Sequence, residues 1–194
     1  MSTLAETIAA KPRARSSVIT DVSLVVLGSL VVAGFAQISI HLGFTPVPIT
    51  GQTLGVLLVG GALGAWRGGA ALALYLLEGA LGAPFFASGT HGVSLLKASS
   101  ATGGYLWGFV VAAIVIGWLA ERRSDRKVVS ALGTFFLGEA IIFTFGVAWL
   151  AHAIGVSGQI AVEKGLYPFV VGDAIKVGIA ALALPAAWRF TRKS

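Results

Sequence analysis

The sequence predicts an all-α integral membrane protein with six transmembrane helices and both termini in the cytoplasm. Three observations lead there. Charged residues make up only 11% of the 194-residue chain, whereas soluble domains carry about 25%, and mean hydropathy is +0.88. Six apolar runs are separated by short polar segments. Lys and Arg collect in alternate segments, the pattern of cytoplasmic loops.

Residues 1–17 read as a flexible basic cytoplasmic N-terminus in which Lys11, Arg13 and Arg15 form an anchor, and residues 18–194 as a single six-helix membrane domain. The first run, Val18 to Ile40, is longer than the core of a secretory leader and ends in no small-x-small cleavage site, so it reads as a span. Within it, Gly28, Ser29 and Ala33 are small, and Ser29 and Ala33 have small-xxx-small spacing. That spacing lets another helix approach closely, from this chain or from a partner. The second and third runs, Ile49 to Trp66 and Gly68 to Ala83, are short for spans of about 20 residues. Arg67 and a glycine-rich turn separate them. Enough Leu, Val and Ala line both to favour two helices over one re-entrant hairpin. Gly104 to Ala120, Val128 to Ala151 and Pro168 to Trp188 complete the six.

Charge orients them. With the N-terminus inside, the inner segments hold Lys11, Arg13, Arg15, Arg67, Arg122, Arg123, Arg126, Lys127, Arg189, Arg192 and Lys193, and the outer loops hold only Lys97 and Lys164. The bias obeys the positive-inside rule. The excess of basic residues does not indicate nucleic acid, because no aromatic-basic stripe accompanies it. Absence of Cys excludes disulfides, a thiol nucleophile and Cys-based metal sites. The 26 glycines suit close helix packing in lipid.

One basic residue, Lys176, lies inside the last span, three residues after Asp173. Ionised side chains in hydrocarbon cost about 3 kcal/mol or more and face a partner, a cavity or a ligand. Spacing i, i+3 puts both on one helix face, so the face offers an acceptor and a donor. A structural ion pair between helices is the plain alternative. Pro168 fits the first turn of this helix. Lys176 then lies about 12 Å below it, and a pocket there opens outward.

The first outer loop, 41–53, contains Pro46-Val47-Pro48, an extended path that either caps a pocket or simply connects. The second, 84–103, is long for a connector and carries aromatics, a mark of function. It ends at Thr102-Gly103-Gly104-Tyr105, where free backbone N–H groups at a helix start suit an anion or form a simple turn. Glu78 and Glu139 are further intramembrane carboxylates. Glu78 lies near the outer end of its span, within reach of the pocket, and Glu139 sits mid-span. Enzyme signatures are missing: no His-x-x-x-His, nucleophile elbow or phosphate loop occurs. The chain therefore reads as a non-enzyme, without metal or cofactor.

Four segments together resemble one family. They are Pro46-Val47-Pro48-Ile49-Thr50-Gly51-Gln52-Thr53-Leu54, Leu74-Tyr75-Leu76-Leu77-Glu78-Gly79-Ala80-Leu81-Gly82-Ala83-Pro84-Phe85-Phe86-Ala87, Thr102-Gly103-Gly104-Tyr105-Leu106-Trp107-Gly108-Phe109 and Gly172-Asp173-Ala174-Ile175-Lys176. Their order and content resemble BioY, the biotin-binding S component of energy-coupling-factor transporters. The loop after Phe86, Ala-Ser-Gly-Thr-His-Gly, and Ala98-Ser99-Ser100-Ala101 depart from the family pattern. The resemblance implies capture of biotin from outside and delivery inward, in a prokaryotic plasma membrane. It also implies a transmembrane coupling subunit and cytoplasmic ATPases as partners. A secondary carrier working without an ATPase is the alternative. In that frame Asp173 accepts from a ureido N–H of biotin, Lys176 donates to its carbonyl, and Gln52 joins the pocket. Tyr75 and Trp107 either supply apolar walls or serve, as aromatics in spans more often do, as packing or interface anchors. Lys97, with Gly103, Tyr105 and Thr102, is a candidate for the carboxylate, with an ordinary solvated lysine the equal alternative for Lys97, while His91 reads as an ordinary loop residue. Gly28, Ser29 and Ala33 are expected to dock the coupling subunit or to pack inside the chain.

Overall fold

The structure, a computed structural model, describes residues 3–9 and 18–191. The expected anchor residues Lys11, Arg13 and Arg15, and also Arg192 and Lys193, lie outside the described residues. Among the described residues eight α-helices follow in order: α1 Leu4–Ala9, α2 Val18–Ala36, α3 Gln52–Leu63, α4 Ala65–Ala80, α5 Gly103–Glu121, α6 Val128–Ile154, α7 Gly158–Gly165 and α8 Val170–Thr191. Four of them, α2, α5, α6 and α8, are long and apolar enough to cross a membrane. Leu57, Leu72, Ile116, Phe135 and Ile142 are fully buried where the helices meet.

The two short helices form an antiparallel hairpin. Gly64, at φ +85, breaks the chain between α3 and α4, a conformation that favours glycine. A Cβ on Gly68 would lie 3.1 Å from the Cα of Gly60, so the two helices touch near the turn. Farther along, Gln52 of α3 reaches Tyr75 of α4. The turn lies at the C-terminal end of α5, where Ala65 N–H donates to Glu121 Oε1 at 2.8 Å. At about 1.5 Å per residue, twelve-residue α3 is much shorter than nineteen-residue α5. Its N-terminus therefore stops partway up the bundle and leaves room above it.

Several expectations need correction. The turn between the short helices is Gly64, and Arg67 belongs to the first turn of α4, buried against two acids. Its Nη1 is 2.7 Å from Glu6 Oε1 and its Nη2 2.8 Å from Asp21 Oδ1. Glu6 belongs to α1, so this part of the N-terminal segment is docked rather than loose. A reciprocal capping box starts α1: Glu6 N–H donates to Thr3 Oγ1 and Thr3 N–H to Glu6 Oε2. Leu4 and Ala5 are buried in the core. Burial raises the Glu6 carboxyl, but the bonds from Arg67 and Thr3 outweigh it and hold the group below its ordinary range.

The first span ends at Ala36. Beyond it β1 (Ser39–Ile40) pairs antiparallel with β2 (Ile49–Thr50) across the proline loop. The last helix starts at Val170, so Pro168 precedes it. The additional helix α7 is started by Ser157, whose Oγ accepts from Ile160 N–H. The segment 84–103 contains two 3-10 turns, Ala87–Gly89 and Val93–Leu96.

Gly28, Ser29 and Ala33 are all buried within the bundle, which corrects the docking expectation. A Cβ on Gly28 would come within 2.9 Å of Ala71 and Leu63. Small side chains here let α2 lie against the α3–α4 hairpin, and these three residues face inward. The outward face of α2 is instead Val22, Val26, Leu30 and Val31.

Candidate functional site

The space above α3 is a cavity of about 200 Å³. Its floor is polar. Asp173, 5% exposed, projects from α8 toward the first turn of α3, whose positive dipole end favours a carboxylate. Thr53 Oγ1 donates to Asp173 Oδ1 at 2.9 Å. Lys176 Nζ donates to the same Oδ1 at 2.5 Å, to Thr53 Oγ1 at 3.0 Å and to the Thr50 carbonyl at 2.5 Å. Three N–H groups thus have three acceptors. Asp173 Oδ2, by contrast, takes none of these bonds.

Gln52 stands beside them. Its Nε2 donates to Tyr75 OH at 2.5 Å, and its Oε1 accepts from Thr50 Oγ1 at 2.9 Å. The amide has one N–H left over. The middle of the cavity is apolar, with Phe86, Leu106, Phe109, Phe143 and Phe169 among its walls. His41, Thr90 and Thr102 also line it. The arrangement suits a molecule with a neutral head that both donates and accepts hydrogen bonds and an apolar body.

Of the residues singled out in the sequence, Asp173, Lys176, Gln52 and Tyr105 meet at this cavity. Tyr105 shows its ring there, since its OH is spent on the Gly165 carbonyl at 2.7 Å. The other expected residues stand elsewhere. Tyr75 is no wall of the cavity: it is fully buried behind Gln52, edge-on to Phe86 at 5.5 Å. Gly103 packs against Trp149 and its N–H donates to Ser100 O, so it offers an anion nothing. Lys97 is exposed and off the cavity wall, carried outward by the turn at Val93–Leu96. Glu78 is also off the wall, with Oε2 buried and unbonded. Trp107 is 43% exposed and donates to Leu96 O at 3.3 Å. His91 is exposed and off the wall.

Sequence reasoning missed Thr50, Thr53, His41 and the aromatic walls. Thr50 and Thr53 were legible as two hydroxyls three residues apart at the start of an apolar run. Phe143 and Phe169 carried no such signal, because nothing in the chain distinguishes a cavity aromatic from a packed one.

The profile of the BioY family matches residues 6–193. The chain belongs to the BioY family. Its similarity to individual BioY proteins is spread along the chain. It is 43% identical over 157 residues to the biotin transporter BioY of Thermotoga maritima, covering 79% of this chain and 86% of that one. Against the Rhizobium etli biotin transporter BioY it is 39% identical, covering 74% and 79%. Biotin transporter BioY2 of Lactococcus lactis is 34% identical over 89% of this chain and 94% of its own. In fold, the chain is similar to the crystal structure of the S-component for biotin from an ECF-type ABC transporter, with TM-score 0.80 at 20% identity, covering 88% and 92%. Membership of BioY, with four apolar helices of spanning length, makes this a multi-pass prokaryotic plasma-membrane protein.

Proposed function

We propose that this chain is the biotin-binding S component of an energy-coupling-factor transporter, taking biotin from outside and passing it inward. The observation that carries the reading is the floor of the cavity. A ureido ring presents two N–H donors and one carbonyl. Asp173 Oδ2 is the free acceptor for one N–H, and the spare Gln52 N–H or a released Lys176 N–H serves the carbonyl. Charge-assisted bonds of this kind are the stronger ones. An unmatched analogue would leave buried polar groups unpaired, so the same floor supplies specificity. The thiophane ring and tail lie along the phenylalanines, and the carboxylate lies toward His41 and Thr102.

Six spans with both termini inside are part of this proposal. The α3–α4 hairpin supports it, since its turn reaches the same end of the bundle as Glu121. Arg122, Arg123 and Arg126 follow Glu121 at that end, while Lys97 and Lys164 belong to segments beside the cavity mouth. The chain lacks cysteine, so single introduced thiols report sidedness. Lys164→Cys labels from outside and Arg122→Cys from inside. The reverse pattern rejects the topology.

A transmembrane coupling subunit and cytoplasmic ATPases complete the machine in this reading. The coupling subunit would meet an outward surface, which excludes Gly28, Ser29 and Ala33. Calorimetry of the purified protein against biotin, thiamine and riboflavin tests the function. Biotin alone is expected to bind tightly, and preference for either other vitamin replaces the proposal. Accumulation of biotin by this chain alone, abolished by an uncoupler, would make it a secondary carrier.

A further inference from the structure

Beneath the floor lies a second acid that the binding scheme does not use. Glu139 of α6 is 5% exposed, and neither of its carboxylate oxygens has a hydrogen bond. Facing it are Thr53 of α3 and Asp173 and Lys176 of α8. None of these can satisfy it as they stand. A hydroxyl has one proton to give, and Thr53 has given its own to Asp173. Lys176 has committed all three N–H groups. From α5, which packs against α6 along its length, the titratable side chains are Tyr105 near one end and Glu121 at the other. Tyr105 donates to Gly165, and Glu121 accepts from Ala65 at the hairpin turn.

The local count is therefore two acids and one base. Asp173 and Lys176 neutralise each other, and a carboxylate at Glu139 would be a buried charge with no hydrogen bond and a claim only on an ammonium already paired with Asp173, a costly arrangement for a side chain. We propose that Glu139 is a buried proton-binding site that controls ownership of Lys176. With its proton, Glu139 is neutral and Lys176 belongs to Asp173 and Thr53, so Asp173 keeps its place in the cavity wall with both of those bonds on Oδ1. Without it, the new carboxylate competes for the same ammonium, and the floor loses the geometry that receives the ligand. The ligand binds the protonated form better, so binding and proton occupancy are linked.

This inference rests on the biotin reading for its binding assay, and the test separates the two. Biotin affinity is measured by calorimetry from mildly acidic to alkaline pH, with wild type and Glu139→Gln, an analogue of the protonated acid. Wild-type affinity is expected to fall by up to about tenfold per pH unit once Glu139 has lost its proton. Glu139→Gln is expected to lose that alkaline fall. Equal pH curves for the two proteins overturn the proposal. So does a folded Glu139→Gln protein that fails to bind at acidic pH, because the ionised form would then be the one required. Should the variant not fold, wild-type titrations in two buffers of different ionisation enthalpy decide. Proton uptake with biotin on the alkaline side is expected, and zero uptake overturns it. Absence of biotin binding at every pH rejects the biotin reading instead. The proton site is then read in ligand-free protein as a carboxylic-acid C=O infrared band that disappears in Glu139→Gln. Absence of that band overturns the proton site.

Discussion

Among the described residues two buried ion clusters stand out, and they differ in what they leave over. Arg67 is surrounded by its own chain: Nη1 meets Glu6, while Nε and Nη2 meet Asp21. The guanidinium is spent on joining α1, α2 and α4, and none of the three residues lines the cavity. The Asp173–Lys176 pair is as short and as buried, yet both bonds to Asp173 land on one oxygen, and the residue lines a cavity. A buried ion pair is by itself weak evidence even for stability. Spare hydrogen-bonding capacity next to empty space is what separates a binding floor from a strap.

Four changes test that contrast. The largest effect is expected from Lys176→Met. It leaves Asp173 buried without a counter-ion, a loss of about 3–5 kcal/mol, and it should also abolish biotin binding. Thermal melts and calorimetry read the two effects, and a stable variant that still binds would erase the distinction drawn here. Asp173→Asn comes next. The Thr50 carbonyl and the Thr53 hydroxyl still hold the ammonium, so stability should fall less than in Lys176→Met. Biotin affinity should drop by more than about tenfold, equivalent to 1.4 kcal/mol. Unchanged affinity would remove Asp173 from the floor.

Arg67→Met should do the opposite, loosening α1 and sparing biotin. The same loosening is expected from acid. The Glu6 carboxyl is held below its ordinary range, so its contribution is complete above that range and disappears as pH falls through the lowered value. A spin label at Thr7→Cys, the sole thiol in this cysteine-free chain, should become mobile in Arg67→Met, and in wild type at low pH. A label that stays rigid in both contradicts the strap.

The smallest effect belongs to Asp125, between α5 and α6. Its Oδ2 accepts from Trp188 Nε1, and its Oδ1 is buried without a partner. Burial raises its carboxyl, outweighing the Trp188 bond and the nearby Arg126. An acid raised by folding holds its proton more tightly in the native state, so stability declines as pH climbs from the ordinary value through the raised one. Asp125→Asn should remove that decline, raising the melting temperature slightly above the window and leaving it level below. A uniform loss at all pH values would show that only the Trp188 bond matters.

Much of this was legible without coordinates. Low charge content and apolar runs dictate helices in a membrane, because backbone polar groups in lipid must be satisfied within the segment. Asp173 and Lys176 announced a site because hydrocarbon tolerates such groups only beside something polar. Distance along the chain does not reveal facing, however. Ser29 and Ala33 satisfy a helix-contact pattern equally well inward or outward, and packing against the α3–α4 hairpin chose inward. Lys97 sits in the chain just before the Thr-Gly-Gly-Tyr segment, yet the preceding 3-10 turn carries it off the cavity. Short N-terminal α1 was illegible because a six-residue helix has almost no intrinsic stability, and only docking on Arg67 and the core holds it. Composition and periodicity determined the class of molecule and one pair of site residues, since both are local consequences of the solvent. Tertiary structure alone decided which oxygen of Asp173 is free, that Glu139 lies beneath it, and which glycines face inward. These depend on contacts between helices far apart in the chain.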